Sequence, residues 1–321
     1  MTRFLTCGLV AACVLGFALR QAQGQAPQAP IFRGGSDVVR VFVTVTDHDG
    51  KLVANLTRDA FELRDEGKPQ PITQFDNSPQ PIRLIVMLDV SGSMEGNLPL
   101  LRGAAAQLFA RLGKDDVARV GAFGNDVVLS PAFTHDAREL TAALPTTIAP
   151  DAPTPLWRAL TQAIDAFGSE DDRRKVILVL SDGKDSGITS FNLREHPASQ
   201  AEVIDHARAQ DVMVYAVGMR SRSSQPMSPG AGPGGLRAAL LADMPDPGLA
   251  RVAEETGGGY TEIRFGQDLA AAFAGVADEL HAQYLLGFAT PKRDGKVHDI
   301  DVRVSKSGLK TRARKSYVAP K

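Results

Sequence analysis

Two kinds of apolar pattern alternate along the chain. Val39, Val41, Val43 and Val45 interleave with Arg40, Phe42, Thr44 and Thr46, the period of two expected of a half-buried strand. Asp47-His48-Asp49-Gly50 follows with turn chemistry. Shorter strands are predicted at Ala60–Arg64 and Pro71–Phe75. Leu84-Ile85-Val86-Met87-Leu88 and Val176-Ile177-Leu178-Val179-Leu180 are instead unbroken apolar runs, as in strands covered on both faces. Between and after them the spacing becomes helical. Leu156, Leu160, Ala163, Ile164 and Phe167 share one face, and further helices are predicted at about 97–112, 198–209, Pro247–Glu255 (stopped by Gly257-Gly258-Gly259) and Asp268–Gln283. Val117–Phe123, Val127–Leu129, Val212–Val217 and Tyr260–Ile263 read as strands. Residues 221–235, rich in Ser, Arg, Pro and Gly, read as a loop. The end returns to β character at Tyr284–Phe288, Val297–Val304 and Thr311–Val318.

Strands alternating with helices predict an α/β fold: a doubly wound, mostly parallel sheet. The flanks, 36–80 and 284–321, are all-β, and neither has enough strands to stand alone. They are expected to form one smaller β-domain around an α/β domain at 81–283.

Residues 1–24 read as an export signal. Arg3 precedes an apolar run from Phe4 to Leu19, and Ala22-Gln23-Gly24 supplies a small-x-small cleavage site. The run is shorter than the ~20 residues of a spanning helix. Val10-Ala11-Ala12-Cys13 also allows a lipoprotein variant. Gln25–Gly35 reads as a linker. The expected product is secreted or periplasmic, with no stable membrane span.

Composition narrows the functions. Both cysteines, Cys7 and Cys13, lie inside the export segment, so a chain starting at Gln25 has no disulfide and no thiolate. Removing Arg3 and Arg20 leaves 34 basic residues against 37 acidic ones. There is no cationic excess for nucleic acid, and aromatics at 6% are too few for base stacking.

The candidate chemistry sits where the two buried runs end. Asp89-Val90-Ser91-Gly92-Ser93 closes the first, at the carboxyl edge where open α/β sheets bind ligands. Ser181-Asp182-Gly183 closes the second. Asp151-Ala152-Pro153-Thr154-Pro155 precedes a helix between them. A lone Asp-x-Ser-x-Ser is usually a turn or cap; three such pieces in this order suit a hard cation, because carboxylates and hydroxyls are oxygen ligands. Glu95 and Asp185 are nearby and expected to be solvated loop carboxylates.

These residues resemble the von Willebrand factor type A family over about 82–282. Asp89, Ser91 and Ser93 fit its Asp-x-Ser-x-Ser motif, Thr154 its isolated threonine and Asp182 its distal aspartate. Pro153 departs from the Gly often found before that threonine. The flanking Val43–Asp47, Asp59–Leu63, Asp65–Pro69, Tyr284–Phe288 and Lys315–Pro320 resemble the bacterial secreted "VWFA-related" subfamily. The resemblance implies a metal-ion-dependent adhesion site holding Mg2+ (Mn2+ or Ca2+ as alternatives). Hydroxyls would bind directly and Asp89 and Asp182 mainly through water, with one position open to a carboxylate of a partner protein. It also implies that the last helix can slide along the sheet; the expectation favoured here is a static helix, its Ala-rich run explained by helix propensity alone.

Other classes fit less well. Ser91 and Ser93 lack a Gly-x-Ser-x-Gly elbow, and the six histidines form no His-Glu-x-x-His pair. An aspartyl phosphotransferase would want an acid at 91, and a nucleotide site a glycine-rich loop. The expectation is therefore a cation-dependent binding module rather than an enzyme. The alternatives are an envelope scaffold with a purely structural ion and, last, a metal-dependent hydrolase.

Overall fold

The computed structural model describes residues 38–168, 173–182, 185–186, 198–219, 246–263 and 269–321. The export segment, the linker, Gly183, Asp268 and the predicted loop at 221–235 lie outside the described residues.

The two unbroken apolar runs are the centre of a six-stranded sheet. β1 to β4, in the N-terminal flank, are Val38–Thr46, Phe61–Asp65, Lys68–Gln70 and Gln74–Asp76. β5 is Ile82–Asp89, β6 Val117–Phe123, β7 Val127–Leu129, β8 Arg174–Ser181, β9 Val212–Met219 and β10 Tyr260–Ile263. The order is β10-β9-β8-β5-β6-β7, parallel except for β7 at one edge. Helices cover both faces: α1 Leu98–Phe109, α2 Ala137–Ala142, α3 Leu156–Asp165, α4 Gln200–Ala209, α5 Pro247–Thr256 and α6 Leu269–Ala282. Alternation along β5 divides the core. Leu84, Val86 and Leu88 pack with α1, α2 and α6, whereas Ile85 and Met87 pack with α3, α4 and α5. Each of these five side chains is fully buried, contributing roughly 1.5–3 kcal/mol apiece.

The flanks supply two four-stranded sheets. β11 is Tyr284–Ala289, β12 Val297–Val304, β13 Lys310–Arg312 and β14 Ser316–Val318. The sheet orders are β13-β1-β11-β4 and β14-β12-β2-β3, so N- and C-terminal strands hydrogen-bond to each other in both. Val39, Val41, Val43 and Val45 of β1 face a shared core with Leu63, Leu286, Phe288, Ile300 and Val302. The smaller β-unit is therefore built from both ends of the described chain around the α/β sheet.

Some elements differ from the sequence expectation. Of the strand predicted at Pro71–Phe75 only Gln74 and Phe75 lie in a strand, β4; β3 ends just before Pro71, which has no N–H to donate. The strand predicted over Thr311–Val318 is two, β13 and β14. Between them Lys315 N donates to Glu255 O at 3.2 Å, drawing the backbone to the end of α5. There Gly257, at φ +83°, lets Arg314 approach; a Cβ would lie 2.4 Å from its nitrogen. The helix α2 was not anticipated. It is six residues long, capped by Asp136, which accepts from Arg138 N.

α6 is fastened to its surroundings by polar contacts. The Glu279 carboxylate accepts from Thr44 Oγ1 at 2.8 Å, from Tyr215 OH and from Arg312. His281 pairs with the buried Asp116 at 2.8 Å, and Arg174 Nη2 donates to Leu280 O at 2.7 Å. A slide of this helix would break bonds to β1, β8, β9 and β13.

Candidate functional site

β5 and β8 are neighbours in register, with Leu88 opposite Leu180, so their carboxyl ends emerge side by side. Asp89 is fully buried. Its Oδ2 accepts from Ser181 Oγ at 2.5 Å and its Oδ1 from Ser91 N at 2.9 Å. Burial pushes the Asp89 carboxyl up, against the pull of the Ser181 and Ser91 hydrogen bonds. Beyond it the chain turns through a short 3-10 helix, Gly92–Met94. Ser91 Oγ lies 3.0 Å from Ser93 Oγ, and Ser93 Oγ donates to Asp182 Oδ1 at 2.7 Å. Four sequence-predicted residues from two strand ends are thus joined in one series of contacts, through hydroxyl and carboxylate oxygens and the Ser91 amide. Ser91 and Asp182 are buried, while Ser93 is exposed at the rim.

Thr154 arrives on a third loop. Gly92 N donates to Ala152 O at 3.4 Å, and a Cβ on Gly92 would fall 1.7 Å from Pro150 O, so only glycine permits this approach. Thr154 is buried at 7% exposure. Its backbone is clasped reciprocally by Ser186: Thr154 N donates to Ser186 Oγ at 2.9 Å, and Ser186 N donates to Thr154 O at 3.0 Å. The Thr154 hydroxyl makes no hydrogen bond to the other four residues among the described residues. The structure therefore joins four of the five directly and sets the fifth on an adjoining loop.

Sequence reasoning missed the supports of these loops. Asp185, expected to be a solvated carboxylate, is half-buried and accepts from Trp157 N at 3.3 Å, in the first turn of α3. Its own amide donates to Asp246 Oδ2 at 3.2 Å, and Asp246 also caps α5 through Gly248 N at 2.8 Å. The Asp-Pro pair at 246–247 is a helix-start signature; nothing in the sequence marks Ser186. Glu95 is exposed, as expected. A second group of ligand-type side chains, Asp47, His48 and Asp49, lies in the β1 turn. There Asp47 Oδ1 accepts from Asp49 N and Lys51 N, which is turn chemistry.

A parallel, doubly wound sheet with this oxygen-rich carboxyl edge defines an α/β module of the von Willebrand factor A type. Residues 84–233 match the family described as von Willebrand factor type A domain. No curated protein matches the chain. Solved structures similar to it include an aerotolerance-related membrane protein from Bacteroides fragilis (15% identity, TM-score 0.44), which covers 62% of this chain and 98% of that one. Another is a von Willebrand factor type A protein from Catenulispora acidiphila (13% identity, TM-score 0.47), covering 90% of this chain and 76% of that one. A third is the pilus adhesin SpaC from Lactobacillus rhamnosus GG (10% identity, TM-score 0.43), covering 83% and 44%. Among the described residues no helix is long and apolar enough to cross a membrane.

Proposed function

We propose that the carboxyl edge of the sheet is a cation-dependent protein-binding site, with Asp89, Ser91, Ser93, Thr154 and Asp182 as the residues that hold Mg2+. The observation that carries this reading is the unbroken series of contacts Ser181–Asp89–Ser91–Ser93–Asp182, all through oxygen or the Ser91 amide. The donor set fits the ion. It is all hard oxygen, and it includes a carboxylate whose charged form burial disfavours, a penalty that a neighbouring divalent charge reverses. The ion would supply an electrophilic centre with a coordination position open to a carboxylate of a partner protein.

The chain's own groups prepare that position. Ser91 and Ser93 present neutral hydroxyls, so little negative charge stands between the ion and an incoming acid. Asp89 is held behind them by Ser181, and Asp182 is oriented by Ser93. Ser186 fixes the backbone that carries Thr154, and Ser93 at the rim faces the approach. Every hydroxyl and carboxylate named here serves in holding or orienting, so the proposed role is binding rather than turnover. The proposal extends to an export signal at 1–24, a secreted or periplasmic site of action, and domain boundaries at 36–80, 81–283 and 284–321.

The test is capture of partners from source extracts on immobilised protein, with Mg2+ or with EDTA, using Asp182→Asn as control. A set of proteins retained with Mg2+ and lost with EDTA and in the variant supports adhesion. Identical retention in all three would leave a structural ion as the better reading.

A further inference from the structure

The turn that carries Thr154 is gripped from outside at both of its ends. Thr154 stands between Pro153 and Pro155, neither with an N–H, so its own amide is the one backbone donor between Ala152 and Leu156. Ser186 Oγ takes that amide at 2.9 Å, and Ser186 N donates back to Thr154 O at 3.0 Å. Three residues further on, Trp157 N donates to Asp185 Oδ1 at 3.3 Å. Consecutive residues of the segment that follows Asp182 thus pin residues 154 and 157 together.

That pair is braced in turn by one carboxylate. The Asp185 amide donates to Asp246 Oδ2 at 3.2 Å. Asp246 is the N-cap of α5, where its other oxygen, Oδ1, accepts from Gly248 N at 2.8 Å. Capping a helix takes one acceptor oxygen; the second reaches a residue 61 positions away in sequence. α3 and α5 meet at the same place. The Trp157 indole lies on Gly248, where a Cβ would fall 2.7 Å from two ring carbons, and Leu156, Trp157, Leu249 and Val252 share one core. One side chain therefore fixes both the first turn of α5 and the backbone of Asp185.

We propose, on the reading of the carboxyl edge as a Mg2+ site, that Asp246 is a positioning residue for that site, acting through Asp185 and Ser186 on the loop of Thr154. Its two roles are separable. A carboxylate offers an acceptor to each of the two amides, whereas asparagine offers one and sets an NH2 donor against the other. Asparagine caps a helix as well as aspartate does, so it keeps the cap and loses the brace.

The test is calorimetric titration of the full chain with Mg2+ in wild type, Asp246→Asn and Asp246→Glu, with melting temperatures taken without metal. Asp246→Asn should keep a metal-free melting temperature near wild type while its Mg2+ affinity falls about ten-fold, the lower end for groups that orient metal ligands from outside. Asp246→Glu keeps the charge but carries its oxygens one methylene farther out, so it should weaken Mg2+ binding as well. Asp136→Ala, which removes the N-cap of α2, should lower the melting temperature and leave Mg2+ affinity unchanged. Wild-type affinity in Asp246→Asn overturns the proposal. So does wild-type affinity in Asp246→Glu beside weak binding in Asp246→Asn, because charge alone would then account for the loss. An equal loss of affinity in Asp136→Ala also overturns it, since the removal of any cap would suffice. In each of these cases wild type still binds Mg2+ and the site itself stands; a wild-type chain that binds no Mg2+ overturns the site and the role of Asp246 together.

Discussion

Replacing Glu279 by Ala tests whether the two halves of the molecule are held as one. The carboxylate accepts from Thr44, Tyr215 and Arg312, which belong to β1, β9 and β13. Hydrogen bonds to a charged group contribute about 1.5–3 kcal/mol each in favourable settings, and a buried donor left unsatisfied costs about 1–3 kcal/mol. Arg312 keeps 34% of its side chain in water, so its loss is heavily discounted. Thr44 and Tyr215 are 2% and 1% exposed and cannot turn to solvent. Both also accept from Gln283 Nε2, a donor that cannot take up the orphaned hydroxyl protons. The net expectation is about 3 kcal/mol for Glu279→Ala and about 1 kcal/mol for Glu279→Gln, which keeps an acceptor. Urea unfolding followed by the fluorescence of the single tryptophan, Trp157 in α3, reads the α/β half directly. A cycle with Arg312→Ala isolates the pair. A Glu279→Ala variant within about 0.5 kcal/mol of wild type would refute the clamp.

Further outcomes follow from the same contacts. Gly92→Ala should push the Pro150–Thr154 loop away and lower Mg2+ affinity by about 10–100-fold with far-UV circular dichroism unchanged, since outer supports of metal sites have effects of that size. Ser186→Ala should lower Mg2+ affinity in calorimetry but move the metal-free melting temperature little, because the residue is exposed. His298 is held up by Asp294 first and by Glu66, against burial and Lys292. Its protonated form therefore adds stability that is present below about pH 6.5 and lost as pH rises through its folded value; urea midpoints compared across that range should change more in wild type than in His298→Gln. With α6 fastened at Glu279, His281 and Leu280, spin labels at Lys51 and Glu139 should keep one distance distribution when Mg2+ is added, and a shifted distribution would show that the helix moves.

The parts of the fold that were legible in the sequence are those set by local pattern. The two unbroken runs became β5 and β8 because both faces of the sheet are covered, and the valine alternation became β1 because one face is. The order of Asp89, Ser91, Ser93 and Asp182 could be read because each ends or directly follows a strong strand. What escaped depends on contacts between distant segments. Ser186 reaches Thr154 across 32 positions, and Glu279 meets Thr44 across 235; no local composition encodes either. Asp185 looked like a solvated loop acid because its partner is a helix amide, which carries no side-chain signature. The breaks at Pro71 and at Ala313–Lys315 escaped for opposite reasons. The first lies at a proline, whose missing donor is a local signal, the second at the distant end of α5.

The central claim is that Asp89, Ser91, Ser93, Thr154 and Asp182 together hold one divalent cation. Titration of Mg2+ into the metal-free chain, beside Asp89→Asn and Asp182→Asn, tests it most directly. The account predicts one saturable site in wild type, loss of that site in both variants, and a melting temperature that rises with Mg2+ in wild type alone, since about 2.7 kcal/mol of stabilisation is expected at a hundred times Kd. Equal binding in wild type and in both variants, or no binding to the wild-type chain, would contradict it.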